Sequence, residues 1–276
     1  MTPNEARETF QAALLAAIFR EAKGKEIVLK GGMALRAAHQ SLRYTKDLDF
    51  DADPRLDAAG VKAKIKRAIA KVRTLGLVRG MTVTEPKQTE TTMRWKIAGR
   101  IANLPVNMAI EVLRRDPLPE QHVKVVSYAP PAAANSQPIM LTTLDAPALA
   151  ANKVSCLVDI NRDAVRDLLD LGLLNDGGVE PDPDLVKERL ASRYQGKNRK
   201  DLVEGAQHKI ETMTWSKARD ELLPFLGSSD ASRIDETYWE GLRVALMDLI
   251  EKWVPEMSDA EPSSSSSPTS SPSGKG

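Results

Sequence analysis

Glu26-Ile-Val-Leu-Lys30-Gly31-Gly32-Met33-Ala34-Leu35, followed after seven residues by Arg43-Tyr-Thr45-Lys-Asp47-Leu48-Asp49-Phe50, is the stretch whose reading decides the fold. Residues 26–30 carry adjacent β-branched side chains and run into a glycine pair, which predicts a strand ending in a tight turn. Residues 33–40 (MALRAAHQ) favour a helix. Residues 46–50 alternate polar with apolar side chains, the period of a strand with one buried face. Strand, turn, helix and strand in such short order predict a sheet with helices packed on it.

Working outward, residues 9–23 place Phe10, Ala13, Leu14, Ala17 and Ile18 at helical spacing, and Gly24 stands where a helix would stop. Residues 58–75 read as a basic helix, and 80–86, 91–97 and 105–113 as further strands of a mixed sheet. Past Pro130-Pro131 the periodic stretches read as helical: 146–159, 162–174, 183–193, 202–211, 215–223 and 234–252. The expected fold class is therefore α/β (α+β). A mixed-sheet domain is expected over 1–136, a helical domain over 137–257, and a Ser/Pro-rich tail over 258–276 whose composition predicts disorder.

With 276 residues, 42% hydrophobic and 28% charged, the chain has the composition of an ordinary globular protein. One cysteine, Cys156, rules out an intramolecular disulfide and a cysteine-based zinc cluster, and three scattered histidines offer no paired ligand spacing. The first residues are polar and no uncharged apolar run approaches about 18 residues, so neither secretion nor membrane insertion is expected, and a cytoplasmic location fits best. The net charge is only +1, but residues 60–100 hold eleven Lys and Arg against Glu85 and Glu90. Such segregation suits a phosphate-rich partner, although a solvated basic face would look the same.

Gly31-Gly32 after a strand would let backbone N–H groups come close to a phosphate at the start of the next helix; a plain tight connection is the alternative. Asp47 and Asp49 lie two residues apart, so on an extended strand both carboxylates share one face with about 6.6 Å of rise between them. Such a pair suits magnesium, and equally an exposed strand whose acids face water. Glu111, on a strand expected beside that pair, is the candidate third acid for the metal. Asp163, Asp167 and Asp170 fall at i, i+4 and i+7 on one helical face, interleaved with Arg162 and Arg166. Lys153, on the preceding helix, would reach them in an antiparallel helix pair. A salt-bridged helix surface is the other reading.

Lys30-Gly-Gly-Met-Ala-Leu35, then Arg43-Tyr-Thr-Lys-Asp-Leu-Asp-Phe50, then Lys153 followed by Arg162 and Arg166-Asp167-Leu-Leu-Asp170, together resemble the AbiEii/AbiGii nucleotidyltransferase family. These are toxins of type IV abortive-infection systems, akin to the MenT toxins, in the polymerase-β-like nucleotidyltransferase superfamily. The resemblance spans roughly residues 27–174. It implies that Gly31 and Gly32, with Lys30, Arg43 and Thr45 nearby, bind the triphosphate of an NTP, and that Asp47 and Asp49 ligate Mg2+ or Mn2+. It implies further that Lys153 contacts the triphosphate and that Asp167 acts beside it as base or nucleotide-orienting acid. Met33 stands where Thr or Ser is frequent. The implied reaction moves a nucleoside monophosphate from NTP to a hydroxyl, most plausibly of an RNA (tRNA) 3′ end, with an antitoxin as possible partner. A small-molecule, antibiotic-type nucleotidyltransferase and a non-catalytic NTP-binding module are the competing readings.

Overall fold

Apolar side chains alternate with acids through the strand Leu48–Ala52, and that alternation orients the whole sheet: Leu48, Phe50 and Ala52 are buried, while Asp49 and Asp51 stand on the other face. The computed structural model describes residues 1–131, 137–162, 164–194 and 197–256. Their strands are β1 (Ile27–Lys30), β2 (Leu48–Ala52), β3 (Arg79–Gln88), β4 (Thr92–Ile101), β5 (Leu104–Leu113), β6 (Val123–Tyr128) and β7 (Ile139–Leu144). They form one sheet in the order β3-β4-β5-β2-β1-β7-β6, with β2–β5 and β1–β7 parallel and the other neighbours antiparallel.

Helices α1 (Pro3–Glu21) and α3 (Ala58–Thr74) pack on each other, and α1 lies against β5 and β7. A capping box between Thr2 and Glu5, with Pro3 in the first turn, fixes the start of α1. Phe19 of α1 meets Phe50 of β2 edge to face, with ring centroids 6.2 Å apart. Helix α2 (Gly31–His39) follows β1 directly. The later helices are α4 (Ala146–Val158), α5 (Val165–Asp176), α6 (Pro183–Arg193), α7 (Arg199–Thr212), α8 (Trp215–Leu222), the short α9 (Ser228–Ala231) and α10 (Glu236–Trp253). Of these, α4 is central: it contacts α2, α5, α6 and α7. Asp145, Asp182 and Asp235 cap the starts of α4, α6 and α10 by accepting backbone N–H bonds.

Two expectations need correction. The chain beyond Pro131 is not all helix, because β7 joins the sheet between β1 and β6. Five of its six residues are buried, so Ile-Met-Leu-Thr-Thr-Leu lacks the alternation that marks a half-exposed strand. The strand Val123–Tyr128 also escaped the sequence reading; it is an edge strand with an irregular burial pattern. Second, the helix expected from Arg162 begins at Val165, and Arg162 sits in a preceding turn where the Asn161 N–H is taken by the Asp159 carboxylate. Asp163 and the expected disordered tail 258–276 lie outside the described residues.

Phe50 carries the packing of β2 against α1. Phe50→Ala should lower unfolding free energy by about 3–5 kcal/mol in chemical denaturation; a loss below about 1 kcal/mol would show that β2 is not anchored there.

Candidate active site

The open face of the sheet and a wall built from α4, α5 and α6 enclose a cleft of about 780 Å³. On the sheet side, Asp49 is paired in register with Lys30 of β1 and with Glu111 of β5. Asp47 lies one residue ahead of β2, where its Oδ1 accepts the Ala109 N–H at 3.0 Å. Glu111 Oε2 accepts both the Nε (2.6 Å) and the Nη2 of Arg94. Lys30 Nζ lies 2.5 Å from Asp51 Oδ1, so its charge is engaged by a third acid of the same strand face.

The glycine pair is dictated by its neighbours, Asp49 for Gly31 and Arg43 with Thr45 for Gly32. Gly31 has φ +69°, and a Cβ there would lie 2.6 Å from Asp49 Oδ2. A Cβ on Gly32 would lie 2.8 Å from Arg43 Nη2 and 3.0 Å from Thr45 Oγ1. Only glycine allows the turn to approach so closely. The N-cap of α2, Lys30, makes no side-chain capping bond, so the first N–H groups of the helix and its partial positive charge stand uncapped beside Asp49. Met33 is fully buried, so its side chain belongs to the core rather than to this turn.

The helical side is organised by buried charge. Arg43 donates from Nε to Asp170 Oδ1 (3.0 Å) and from Nη2 to Asp170 Oδ2 (2.7 Å). Lys153 Nζ lies 2.6 Å from Asp167 Oδ1 and 2.6 Å from Asp170 Oδ2. Arg162 Nε lies 3.0 Å from Asp167 Oδ2. Three cations thus meet two carboxylates, and all but Arg162 are buried. Thr45 is buried as well.

Ionisation follows from these contacts. Burial alone would lower the Lys153 ammonium, but Asp167 and Asp170 outweigh it and hold the group above its usual range. Burial would raise Asp170, yet Arg43 and Lys153 bring it down to about 2. Asp167 is likewise lowered, by Lys153 and Arg162 acting against burial. Asp49 differs: burial pushes it up to about 6, with Asp47 and Glu111 adding to the shift against Lys30 and Lys153. It is a carboxylate short of positive charge.

Among the described residues, no three His, Cys, Asp or Glu side chains cluster closely enough to hold an ion by themselves. Mg2+ is commonly bound by one or two carboxylates together with substrate phosphates and water. Asp47 and Asp49, hard oxygen donors beside an uncapped helix start, fit an ion that arrives with phosphate.

Backbone donors for a phosphate facing a pair of acids, on the central strands of a mixed sheet, are the working parts of nucleotidyl transfer, and the chain is a nucleotidyltransferase. Residues 13–241 match the family described as "Nucleotidyl transferase AbiEii toxin, Type IV TA system", and the chain belongs to that family. Among solved structures it is similar to that of a "putative nucleotidyltransferase from H. pylori", with 18% identity, TM-score 0.51, and coverage of 89% of this chain and 93% of that one. JHP933 from Helicobacter pylori is also 18% identical, with TM-score 0.48 and coverage of 89% and 90%. No curated protein matches the chain.

All ten residues singled out from the sequence as site candidates line this cleft: Lys30, Gly31, Gly32, Arg43, Thr45, Asp47, Asp49, Glu111, Lys153 and Asp167. The sequence reading took Arg94 and Lys96 only as part of the basic segment 60–100 and Asp170 only as part of the acidic row within reach of Lys153, and it named neither Arg193, which also lines the cleft, nor the bond from Arg43 to Asp170. Arg94 carried a signal in its register opposite Glu111; Arg193, brought in by α6 from far along the chain, carried none.

Asp170→Asn should destabilise the protein by about 3–5 kcal/mol at neutral pH, because Arg43 and Lys153 stay buried with one carboxylate fewer. A carboxyl lowered on folding contributes stability above its unfolded pKa and loses it as pH falls through the folded one. The gap between wild type and variant in urea denaturation should therefore narrow between about pH 4 and pH 2. A gap of constant size across that range would contradict the assignment.

Proposed function

We infer that the enzyme transfers a nucleoside monophosphate from an NTP to an acceptor hydroxyl and releases pyrophosphate, using Mg2+ or Mn2+ held by Asp47 and Asp49. One observation carries this reading: Asp49, a carboxylate without a matching cation, is packed against the glycine turn at the uncapped start of α2. A divalent ion bound there would supply Lewis-acid stabilisation of the transferring phosphoryl group and of the attacking oxygen. The N–H groups at the start of α2 would hold phosphate oxygens, and Asp47 and Asp49 would hold the cation that comes with the triphosphate. Glu111, whose Oε2 is taken by Arg94, keeps Oε1 without a partner among the described residues; it serves as the third acid and as acceptor for the hydroxyl proton. Asp167 has both oxygens engaged by Lys153 and Arg162, which suits an orienting acid and disfavours a base.

The acceptor in this reading is the 3′ end of an RNA, namely tRNA. Lys96 and Arg94 project on exposed positions of β4 into the cleft, and the same hairpin carries Arg79, Lys87 and Arg100 toward the sheet edge, a track suited to a phosphate backbone. Residues 1–136 supply the acids and the turn, and residues 137–257 supply the opposing wall. A cytoplasmic toxin restrained by a cognate antitoxin is the biological setting that fits the family; no helix among the described residues is long and apolar enough to cross a membrane.

Purified protein incubated with each labelled NTP, Mg2+ and total RNA should label RNA, and Asp49→Ala should abolish labelling while the protein stays folded, because that carboxylate lacks a matching cation. Induced expression in bacteria should arrest growth, and Asp47→Ala should relieve the arrest. Label appearing only in small molecules would favour the antibiotic-type reading. NTP binding without pyrophosphate release would favour a non-catalytic module.

A further inference from the structure

A triphosphate, and the pyrophosphate that leaves it, need cations with donors to spare, and the two buried cations, Lys153 and Arg43, have few. Lys153 already meets two carboxylates at 2.6 Å, and its side chain is 9% exposed. Arg43 is held in a two-point bond by Asp170 and is equally buried. Arg162 differs from both. Its side chain is 52% exposed, it holds Asp167 through Nε alone, and its two terminal nitrogens have no partner among the described residues. That leaves the outer edge of the guanidinium, two donors in one plane, without a protein partner among the described residues.

The turn carrying Arg162 is fixed from behind. Lys209 of α7 donates from Nζ to the carbonyl oxygens of Cys156 (3.2 Å), Leu157 (3.1 Å) and Asp159 (2.6 Å), closing the end of α4 just ahead of it. Two further arginines share the wall. Arg166 lies over the Phe225 ring at 5.8 Å, and Arg193 Nη1 donates to Ser155 Oγ at 3.3 Å. All three line the same cleft as Gly31 and Asp49.

We propose that Arg162 grips the terminal phosphates of the nucleotide and the departing pyrophosphate through its free edge, with Arg166 and Arg193 adding positive charge beside it. The phosphates then meet Arg162 and not Lys153, whose ammonium stays with Asp167 and Asp170. The inference rests on the reading that this cleft takes an NTP. A planar, two-donor edge matches two phosphate oxygens at once, which a lysine ammonium cannot do. Because Asp167 aims Arg162 before any ligand arrives, little side-chain freedom is lost on binding.

The test is calorimetric titration of the full chain with inorganic pyrophosphate in the presence of Mg2+, which needs no turnover. Arg162→Ala should weaken pyrophosphate binding by about tenfold or more, and Arg162→Lys should recover only part of it. Arg162→Ala should melt below the wild type without ligand, because buried Asp167 loses one of its two cations, whereas Arg162→Lys should stay close to it; should the alanine variant fail to fold, Arg162→Lys alone decides. Wild-type pyrophosphate affinity in the folded variants, with NTP binding intact, would overturn the role of Arg162 and leave the nucleotide reading standing. A wild-type protein that binds neither pyrophosphate nor any NTP would overturn that reading, and this inference with it.

Discussion

Asp170 holds two buried cations at once, Arg43 from the segment ahead of β2 and Lys153 from α4, and the cleft depends on that arrangement. A piece of chain 127 positions away and the neighbouring helix are joined at one carboxylate. Arg43 also sits against Gly32, and the Tyr44 N–H donates to the Phe225 carbonyl at 2.7 Å, so the strand bearing Asp49 is tied to the helical wall at several points. Buried ion pairs are costly to desolvate, and losing one partner costs more than the pair contributes. The network therefore acts as a constraint on geometry: with it in place, the two walls of the cleft hold a fixed separation.

The same arrangement divides the charge of the cleft. On the helical side carboxylates are matched or outnumbered by cations, which pulls Asp167 and Asp170 well into their ionised range. On the sheet side Asp49 is undercompensated, although Lys30 stands opposite it in register, because the ammonium of Lys30 reaches Asp51. An anionic ligand bringing its own divalent cation would match both sides. Its phosphates would face arginines and the start of α2, and the cation would face the acids. This division of charge is what the proposed metal–nucleotide substrate would require.

Local pattern made much of this legible in the sequence. Gly31-Gly32 between a strand and a helix, and acids alternating with Leu48 and Phe50, are short-range features whose geometry follows from strand period and glycine conformation. The match of Lys153 with Asp167 was legible too, since an antiparallel helix pair brings α4 and α5 side by side. What was not legible depends on distance or on burial from both sides. β7 looks like any apolar stretch because helices and neighbouring strands bury both its faces. The bond from Arg43 to Asp170 spans 127 positions, and no periodicity signals it. Arg162 reads as helical by composition, yet the side chain of Asp159 competes for the backbone and turns the chain first.

The most direct measurement is a crystal structure of the protein with Mg2+ and a non-hydrolysable nucleoside triphosphate. The account predicts an ion held by Asp47 and Asp49, and a triphosphate lying against the start of α2 and Arg162. A nucleotide bound elsewhere, or phosphates lying away from Asp49 and from the glycine turn, would contradict it.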